Sequence, residues 1–564
     1  KTEGSPLFAI ELTRHWAERG RLERRPGGFD VAEDALAEVP ESLRAVWHSR
    51  IARALEGGSE SERRATMELL SIGALLGRSV DEHEWRVSFD AYRPESPNFH
   101  ALLRPLTRRG LIRGTEEGWS FSHGLLRLSM AEWFDEQTRG RMHDACVDGL
   151  LGLYGANTVV ASERIANHAR LAGDRRTALH YYERAIRWEH EKGHLDRVRE
   201  LMERYRTTAR GLEPEARRRA LLRADLIRLD RRDAFPGVDL ATVGFDELIE
   251  RTRGEGRERD ESLVLDLYAS HRSFKGELEE SLEIYGRALE LVDPEDDPLQ
   301  CATTLTGIGV VLRDLGRPEE TRRVHRRAME VLSGTGFSFL EPVHRMYIGY
   351  TWLIERQLER ARETLVDALQ VARETGARRI EAKVLNILGD VFRASQKYDQ
   401  ARSAYRQASK LFEEVSRFGG GLIELNFGML DLCEERWESA LEHFESASVE
   451  MEQQGAGVCR SPVDLGVACC MYALGRPERA EERFEQGASL VRAESVVTAD
   501  IPLLAVTFAD LVASNQRPQL CRNALEIARD QRRELGHEER ARKLNERIDT
   551  LAKQAHQADE SSER

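Results

Sequence analysis

With 564 residues, 84 Lys and Arg against 98 Asp and Glu, and a net charge of −14, the chain is long enough for several domains or one extended repeat array. The acidic balance argues against nonspecific nucleic-acid binding, and the lack of any run of about 18 apolar residues excludes a membrane-spanning helix. The seven cysteines, Cys146, Cys301, Cys433, Cys459, Cys469, Cys470 and Cys521, form no C-x-x-C pair, and with no signal peptide they read as buried thiols in a reducing cytoplasm.

Residues 1–60 open with Gly4-Ser5-Pro6-Leu7-Phe8 and an amphipathic helix to about Arg19, for which Pro6 suits the first turn. Arg24 to Asp30 is expected to be a Gly/Pro loop. Val39-Pro40-Glu41-Ser42-Leu43 then leads into a helix through Leu55. Residues 61–150 read as helices over 61–76, 81–89 and 99–109, followed by strands 111–113 and 119–121. The joining segment, Gly114-Thr115-Glu116-Glu117-Gly118, has turn chemistry between β-formers and predicts a hairpin. Helices followed by such a two-stranded wing make a winged helix. The next helix begins at His123, within Phe121-Ser122-His123-Gly124-Leu125-Leu126-Arg127.

These segments resemble the lid and winged-helix parts of signal-transducing ATPases with numerous domains (STAND proteins). The family's G-N-P-L-F-type motif corresponds to Gly4–Phe8, with Ser5 in place of Asn, and its F-x-H-x-L-L-R segment to Phe121–Arg127. The resemblance implies a nucleotide-binding core before Lys1, ADP or ATP as the cofactor of the full-length protein, Pro6 packed on the adenine, and His123 reaching the β-phosphate in the ADP-bound resting state. A His at a helix N-terminus suits anion contact, because free N–H groups and the helix dipole point the same way. The plainer readings are a helix-starting Pro and a His that caps or packs at the wing. Helix 99–109 carries Arg104, Arg108 and Arg109, which keeps a winged-helix transcription regulator in view. The chain does not start with Met and is expected to be the later part of a longer protein. No G-x4-G-K-[ST] occurs, so it is not expected to hydrolyse ATP by itself.

Residues 151–260 read as an irregular helical connector. Gly173, Ala178, Tyr182 and Ala185 give one good copy of a repeat that becomes regular later, and 230–244 is the expected loop. From 261 to 490 the repeat is strict. A small residue recurs at Ala269, Gly309, Gly349, Gly389, Gly428 and Ala468, in steps of 40, 40, 40, 39 and 40 residues. A second small or short position keeps the same steps at Ser281, Thr321, Ala361, Ala401, Ala440 and Ala480. Leu385, Leu388, Gly389 and Phe392 share one helix face; Ala401, Tyr405 and Ala408 share one face of the next. Gly276, Gly316 and Gly475 sit in the turns between the two helices, where a left-handed residue ends a helix. One such hairpin cannot bury its apolar face, so neighbours stack into a solenoid.

The spacing resembles the tetratricopeptide repeat (W-x2-L-G-x2-Y, then A-x3-F), with a poor match at the first Trp and a period longer than about 34 residues. Long repeats of this kind are similar to those of bacterial sensor solenoids. Residues 491–564 read as a terminal repeat, a charged capping helix to about Ala555, and a disordered tail from Asp559.

No zinc spacing, H-E-x-x-H or G-x-S-x-G occurs, so neither a metal site nor catalysis is expected within this chain. A solenoid binds on the concave face lined by the first helix of each hairpin. Counting three before, one after and four after the reference small residue places Thr306, Val310 and Arg313, then Met346, Tyr350 and Leu353, then Asn386, Asp390 and Arg393 inward, with Lys383 one turn earlier. Arg313, Tyr350, Lys383, Asn386, Asp390 and Arg393 are the candidate ligand groove.

The expected fold is all-α: a tetratricopeptide-like solenoid behind a lid-like fragment (1–60) and a winged helix (61–150). The expected function is the sensor region of a STAND-type ATPase, cytoplasmic and bacterial. Its partners would be a protein or peptide on the concave face, with a small-molecule inducer as a further candidate, and the upstream ATPase domain; membrane is excluded and nucleic acid disfavoured. The alternatives are a constitutive protein-interaction scaffold and the transcription regulator.

Overall fold

A computed structural model describes residues 22–25, 28–31, 43–56, 58–93, 99–235, 238, 240–253, 258–415, 419–454, 460–493, 498–513 and 517–562, with positions 10, 13, 16 and 17. Two compact units divide within helix Arg175–Glu191, one being Lys1–Arg184 and the other Ala185–Arg564. Among the described residues no helix is long and apolar enough to cross a membrane.

The first unit departs from the expected Gly/Pro loop near its start. Strands β1 (Leu22–Arg25) and β2 (Gly28–Val31) pair antiparallel there, with Leu22 opposite Val31. Phe29 and Val31 alternate with polar neighbours, and that short period-2 signal was masked by the flanking glycines and proline.

Helices Glu60–Leu76, Glu82–Tyr92 and Phe99–Arg108 follow. The expected hairpin forms from β4 (Ile112–Gly114) and β5 (Gly118–Phe121). An unexpected strand, β3 (Ser79–Asp81), pairs with the other edge of β5, giving the sheet order β3-β5-β4. Gly118 permits this close pairing, since a Cβ there would lie 2.3 Å from the Val80 carbonyl oxygen. Trp85, Trp119 and Phe121 stack edge to face beneath the sheet, and Trp85 Nε1 donates to the Leu69 carbonyl at 2.8 Å. A buried indole N–H is thus satisfied while its ring fills the core.

The second unit is a tetratricopeptide-like solenoid. Its regular hairpins pair Glu258–Phe274 with Leu278–Glu290, Pro298–Asp314 with Pro318–Leu332, Glu341–Ile354 with Leu358–Thr375, Arg378–Ala394 with Tyr398–Val415, Gly420–Cys433 with Trp437–Gln454, and Arg460–Ala473 with Pro477–Ala493. The small positions have a direct cause. A Cβ at Gly389 would sit 2.2 Å from the Tyr405 ring, and one at Gly428 would sit 2.9 Å from Phe444. The aromatic four residues after the second-helix Ala therefore lies directly on the first helix's backbone. Ala361, Ala401, Ala440 and Ala480 are fully buried at the same crossing. Where Ser281 replaces Ala, its hydroxyl donates to the Ala269 carbonyl at 2.7 Å, so the buried oxygen is satisfied.

The turns repeat as faithfully as the helices. Gly276, Gly316 and Gly475 are left-handed, and at the three equivalent turns the same conformation is adopted by Arg356 (φ 63°), Gln396 (φ 59°) and Glu435 (φ 57°). Each closes the same pair of reverse hydrogen bonds, such as Gln396 N to Arg393 O at 3.0 Å and Lys397 N to Phe392 O at 2.8 Å.

Ile501–Ala513 and Pro518–Glu534 form a further hairpin. The last helix, Glu538–Ser562, runs past the expected end near Ala555 and through most of the expected tail. It has no Gly or Pro to stop it, and Ala, Gln and Glu sustain helix there.

The solenoid curls until distant turns touch. Arg379 pairs with Asp233. Trp188 meets Phe339 edge to face at 4.7 Å, and a Cβ at Gly316 would lie 2.6 Å from the Glu534 carbonyl oxygen. The first two contacts lie next to residues that line a partly open hollow.

Candidate functional site

The inner positions of the early hairpins line a cavity of about 320 Å³ in the second unit. The register rule that selects Thr306 and Val310 as inward-facing selects Asp266, Ser270 and Ser273 in the preceding hairpin, and all five line it. Asp266 was missed because the rule was applied only from the second hairpin onward. Arg187 and Glu191 also line the cavity. Their helix precedes the regular repeats, so no periodic signal marked them.

Asp266 is 6% exposed. Its Oδ2 accepts from Gln300 Nε2 at 2.5 Å and Thr304 Oγ1 at 3.0 Å, while Oδ1 has no donor among the described residues. Burial pushes its carboxyl well above the usual carboxylate range; Thr304, Gln300 and Arg187 lower it and Asp230 raises it. Arg187 donates to Thr303 Oγ1 at 3.0 Å. Burial, reinforced by Arg231, brings its guanidinium down to about 10. Lys383 lines the hollow and is exposed to solvent. Burial and then Arg379 lower its pKa, partly offset by Glu191 and Asp233. For Glu191, burial raises the carboxyl, but His190, Arg379 and Arg231 together hold it well below the usual range. Burial likewise pushes the Tyr285 hydroxyl up on the cavity wall.

The remaining groove candidates form two neighbouring clusters. Arg313 pairs with Asp314 at 2.6 Å and lies 5.7 Å from the Tyr347 ring centroid and 5.5 Å from that of Tyr350. Asp390 accepts from the Tyr405 hydroxyl at 2.7 Å, and Arg393 bridges Asp390 at 3.3 Å to Asp500 at 2.8 Å. Burial raises the Asp390 carboxyl to about 6 against the lowering effect of Arg393. Arg393 is itself held well above its ordinary value, burial being outweighed by Asp500 and Asp390.

Asn386 is buried and its Oδ1 accepts from Asn426 Nδ2 at 2.8 Å, one repeat away. Met346, placed inward by the register, is instead core at 3% exposure. In the last two regular hairpins the inner positions Leu425, Met429, Leu432, Leu465, Cys469 and Tyr472 belong to one apolar cluster. Only the early part of the concave face is therefore polar and open.

In the first unit, His123 caps helix Gly124–Ala131. Its Nδ1 accepts the Leu125 backbone N–H at 3.2 Å, which leaves the proton of a neutral ring on Nε2. Its ring lies 6.0 Å from Trp47. Pro6 lies outside the described residues. Among the described residues no group of His, Cys, Asp and Glu could hold a metal ion.

Residues 347–414 match the tetratricopeptide repeat family model. No curated protein sequence matches. Among solved structures, the chain is similar to a Rap protein complexed with Competence and Sporulation Factor (14% identity, TM-score 0.45, covering 68% of this chain and 99% of that one). It is also similar to the Rap conjugation gene regulator of plasmid pLS20 in complex with the Phr* peptide (13%, TM-score 0.42, 66% and 95%). A third likeness is to the Signal Transduction ATPase with Numerous Domains protein with a tetratricopeptide repeat sensor from Pyrococcus horikoshii (15%, TM-score 0.29, 97% and 70%). All three TM-scores lie below 0.5.

Proposed function

We propose that this chain is the sensing region of a STAND-type signalling ATPase, in which the solenoid takes a peptide or small polar ligand and thereby controls a nucleotide switch. The observation that carries the reading is the hollow, a cavity lined at once by the buried Asp266 carboxyl, the Arg187 guanidinium and the solvent-reaching Lys383 ammonium. A scaffold that only stacks has no use for a buried Asp266 with one oxygen left without a donor, since burying a polar group unmatched costs stability. The order of helices and strands in the first unit, with His123 at a helix N-terminus beside Trp47, supports the nucleotide arm.

In the resting protein Pro6 and the Nε2 of His123 would contact ADP held by the ATPase domain. Ligand in the hollow would favour the open form to the extent that it binds that form more tightly, and an upstream effector would read the change. The test is release of a fluorescent ADP analogue from the full-length protein. His123→Ala is expected to speed release about tenfold, the worth of one hydrogen bond to a charged group. A full-length protein that binds neither ADP nor ATP, or release unchanged in His123→Ala, would overturn the reading and leave the scaffold alternative.

A further inference from the structure

Resting on the reading of the hollow as the ligand site, we infer that its ligand is a small zwitterion, an α-amino acid or a peptide of two or three residues, whose ammonium meets Asp266 and whose carboxylate meets Arg187 and Lys383.

Three unfulfilled groups converge on this cavity. The first is Asp266, 94% removed from solvent on its 6% exposure. One of its oxygens is taken by two neutral donors; the other has no donor and is itself closed off from solvent. Gln300 and Thr304 bring hydrogen bonds but no charge, and Arg187, the cation that acts on Asp266, stands beyond ion-pair distance. The second is Arg187, which donates to the Thr303 hydroxyl and feels Asp230, Glu191 and Asp297, with no carboxylate within ion-pair distance among the described residues. The third is Lys383, likewise without an ion-pair partner among the described residues. The nearby ion pairs are closed on themselves: Arg231 with Asp230, and Arg379 with Asp233.

An anion alone would answer the two cations but leave Asp266 without a cation. A diamine would answer Asp266 and be repelled by Arg187 and Lys383. A molecule carrying both charges answers all three groups. Size agrees with that class. At about 30 Å³ per water, a cavity of about 320 Å³ holds the equivalent of about ten waters. That is room for roughly ten to fifteen non-hydrogen atoms at the higher density of an organic solid. The apolar remainder of the wall, Leu263, Leu267, Val310 and Val343, would take an aliphatic or small aromatic side chain.

The experiment is isothermal titration and thermal shift on this chain. The panel holds the common amino acids and dipeptides, their N-acetyl and C-amide derivatives, putrescine and succinate. At least one free zwitterion is expected to bind, with both blocked derivatives about 10- to 100-fold weaker. Asp266→Asn keeps the shape and the Gln300 contact, and is expected to lose the same factor with a melting temperature equal to or above that of the wild type in the absence of ligand. Lys383→Met, at a solvent-reaching position, should weaken binding through the carboxylate end only. Wild-type affinity in Asp266→Asn, or no zwitterion binding at all, would overturn the inference. Binding of succinate or putrescine alone, lost in Lys383→Met or Asp266→Asn respectively, would overturn the zwitterion class while leaving the hollow as the ligand site. The sensor reading is judged separately by the ADP-release measurement above.

Discussion

Replacing Gln396 by Gly should stabilise the solenoid although it removes a side chain. Gln396 holds φ at 59°, and Arg356 and Glu435 hold 63° and 57° at the equivalent turns. For a residue with a Cβ this conformation costs about 1–2 kcal/mol. Glycine relieves that strain but gives back about 0.5–1 kcal/mol as extra freedom of the unfolded chain. The net gain is about 0.5–1 kcal/mol per turn. All three side chains are exposed, so little contact is lost. The turns lie in separate hairpins, so the triple substitution should approach the sum, about 1.5–3 kcal/mol. Urea unfolding followed by far-ultraviolet circular dichroism reads the sum. Hydrogen exchange of the reverse-bonded amides, Gln396 N and Lys397 N, reads the single turn. Gly276→Ala and Gly475→Ala are the converse controls and should destabilise by a similar amount. If Gln396→Gly were destabilising while Gly475→Ala were neutral, backbone handedness would not be what limits these turns.

Gly389→Ala should destabilise by about 1–3 kcal/mol, because the new methyl would sit 2.2 Å from the Tyr405 ring, whose hydroxyl is fixed on Asp390; thermal unfolding checks it. Asp500→Ala should cost about 1.5–3 kcal/mol and raise exchange at the start of helix Ile501–Ala513, since buried Arg393 loses one of two carboxylates. Acidification should weaken the fold through the pair His325 and His344, whose Nδ1 atoms lie 3.2 Å apart. Burial lowers His344 to about 4 and His325 well below its ordinary value. The folded pKa values lie below the unfolded ones, so the unfolded chain binds more protons between the two. Stability is therefore full above about pH 6.5 and falls as the pH drops toward 4. His344→Gln should flatten that part of a stability–pH curve.

The helical hairpins were legible because their physics is local. A residue lying on a neighbouring backbone demands glycine or alanine, and the demand recurs with every hairpin, so Gly389 and Ala401 announce Tyr405 between them. Three turn glycines likewise announced six left-handed turns, although Arg356, Gln396 and Glu435 carry no such signal individually. The short strands were harder. Ser79–Asp81 becomes a strand only because β5 lies beside it, and three residues are too few to show a period. His123 was legible as a helix start, and the capping bond it makes is a local one.

What the sequence by itself determined is the unit and its stacking, which rest on contacts between residues close in the chain. Only the tertiary structure decided how far the stack curls, because curvature is the sum of small rotations at every hairpin interface. That sum brings Arg187, Asp266 and Lys383 to one cavity, buries Asn386 against Asn426, and fills the later concave face with apolar side chains. The same inward register thus yields a charged hollow at one end and a packed core at the other.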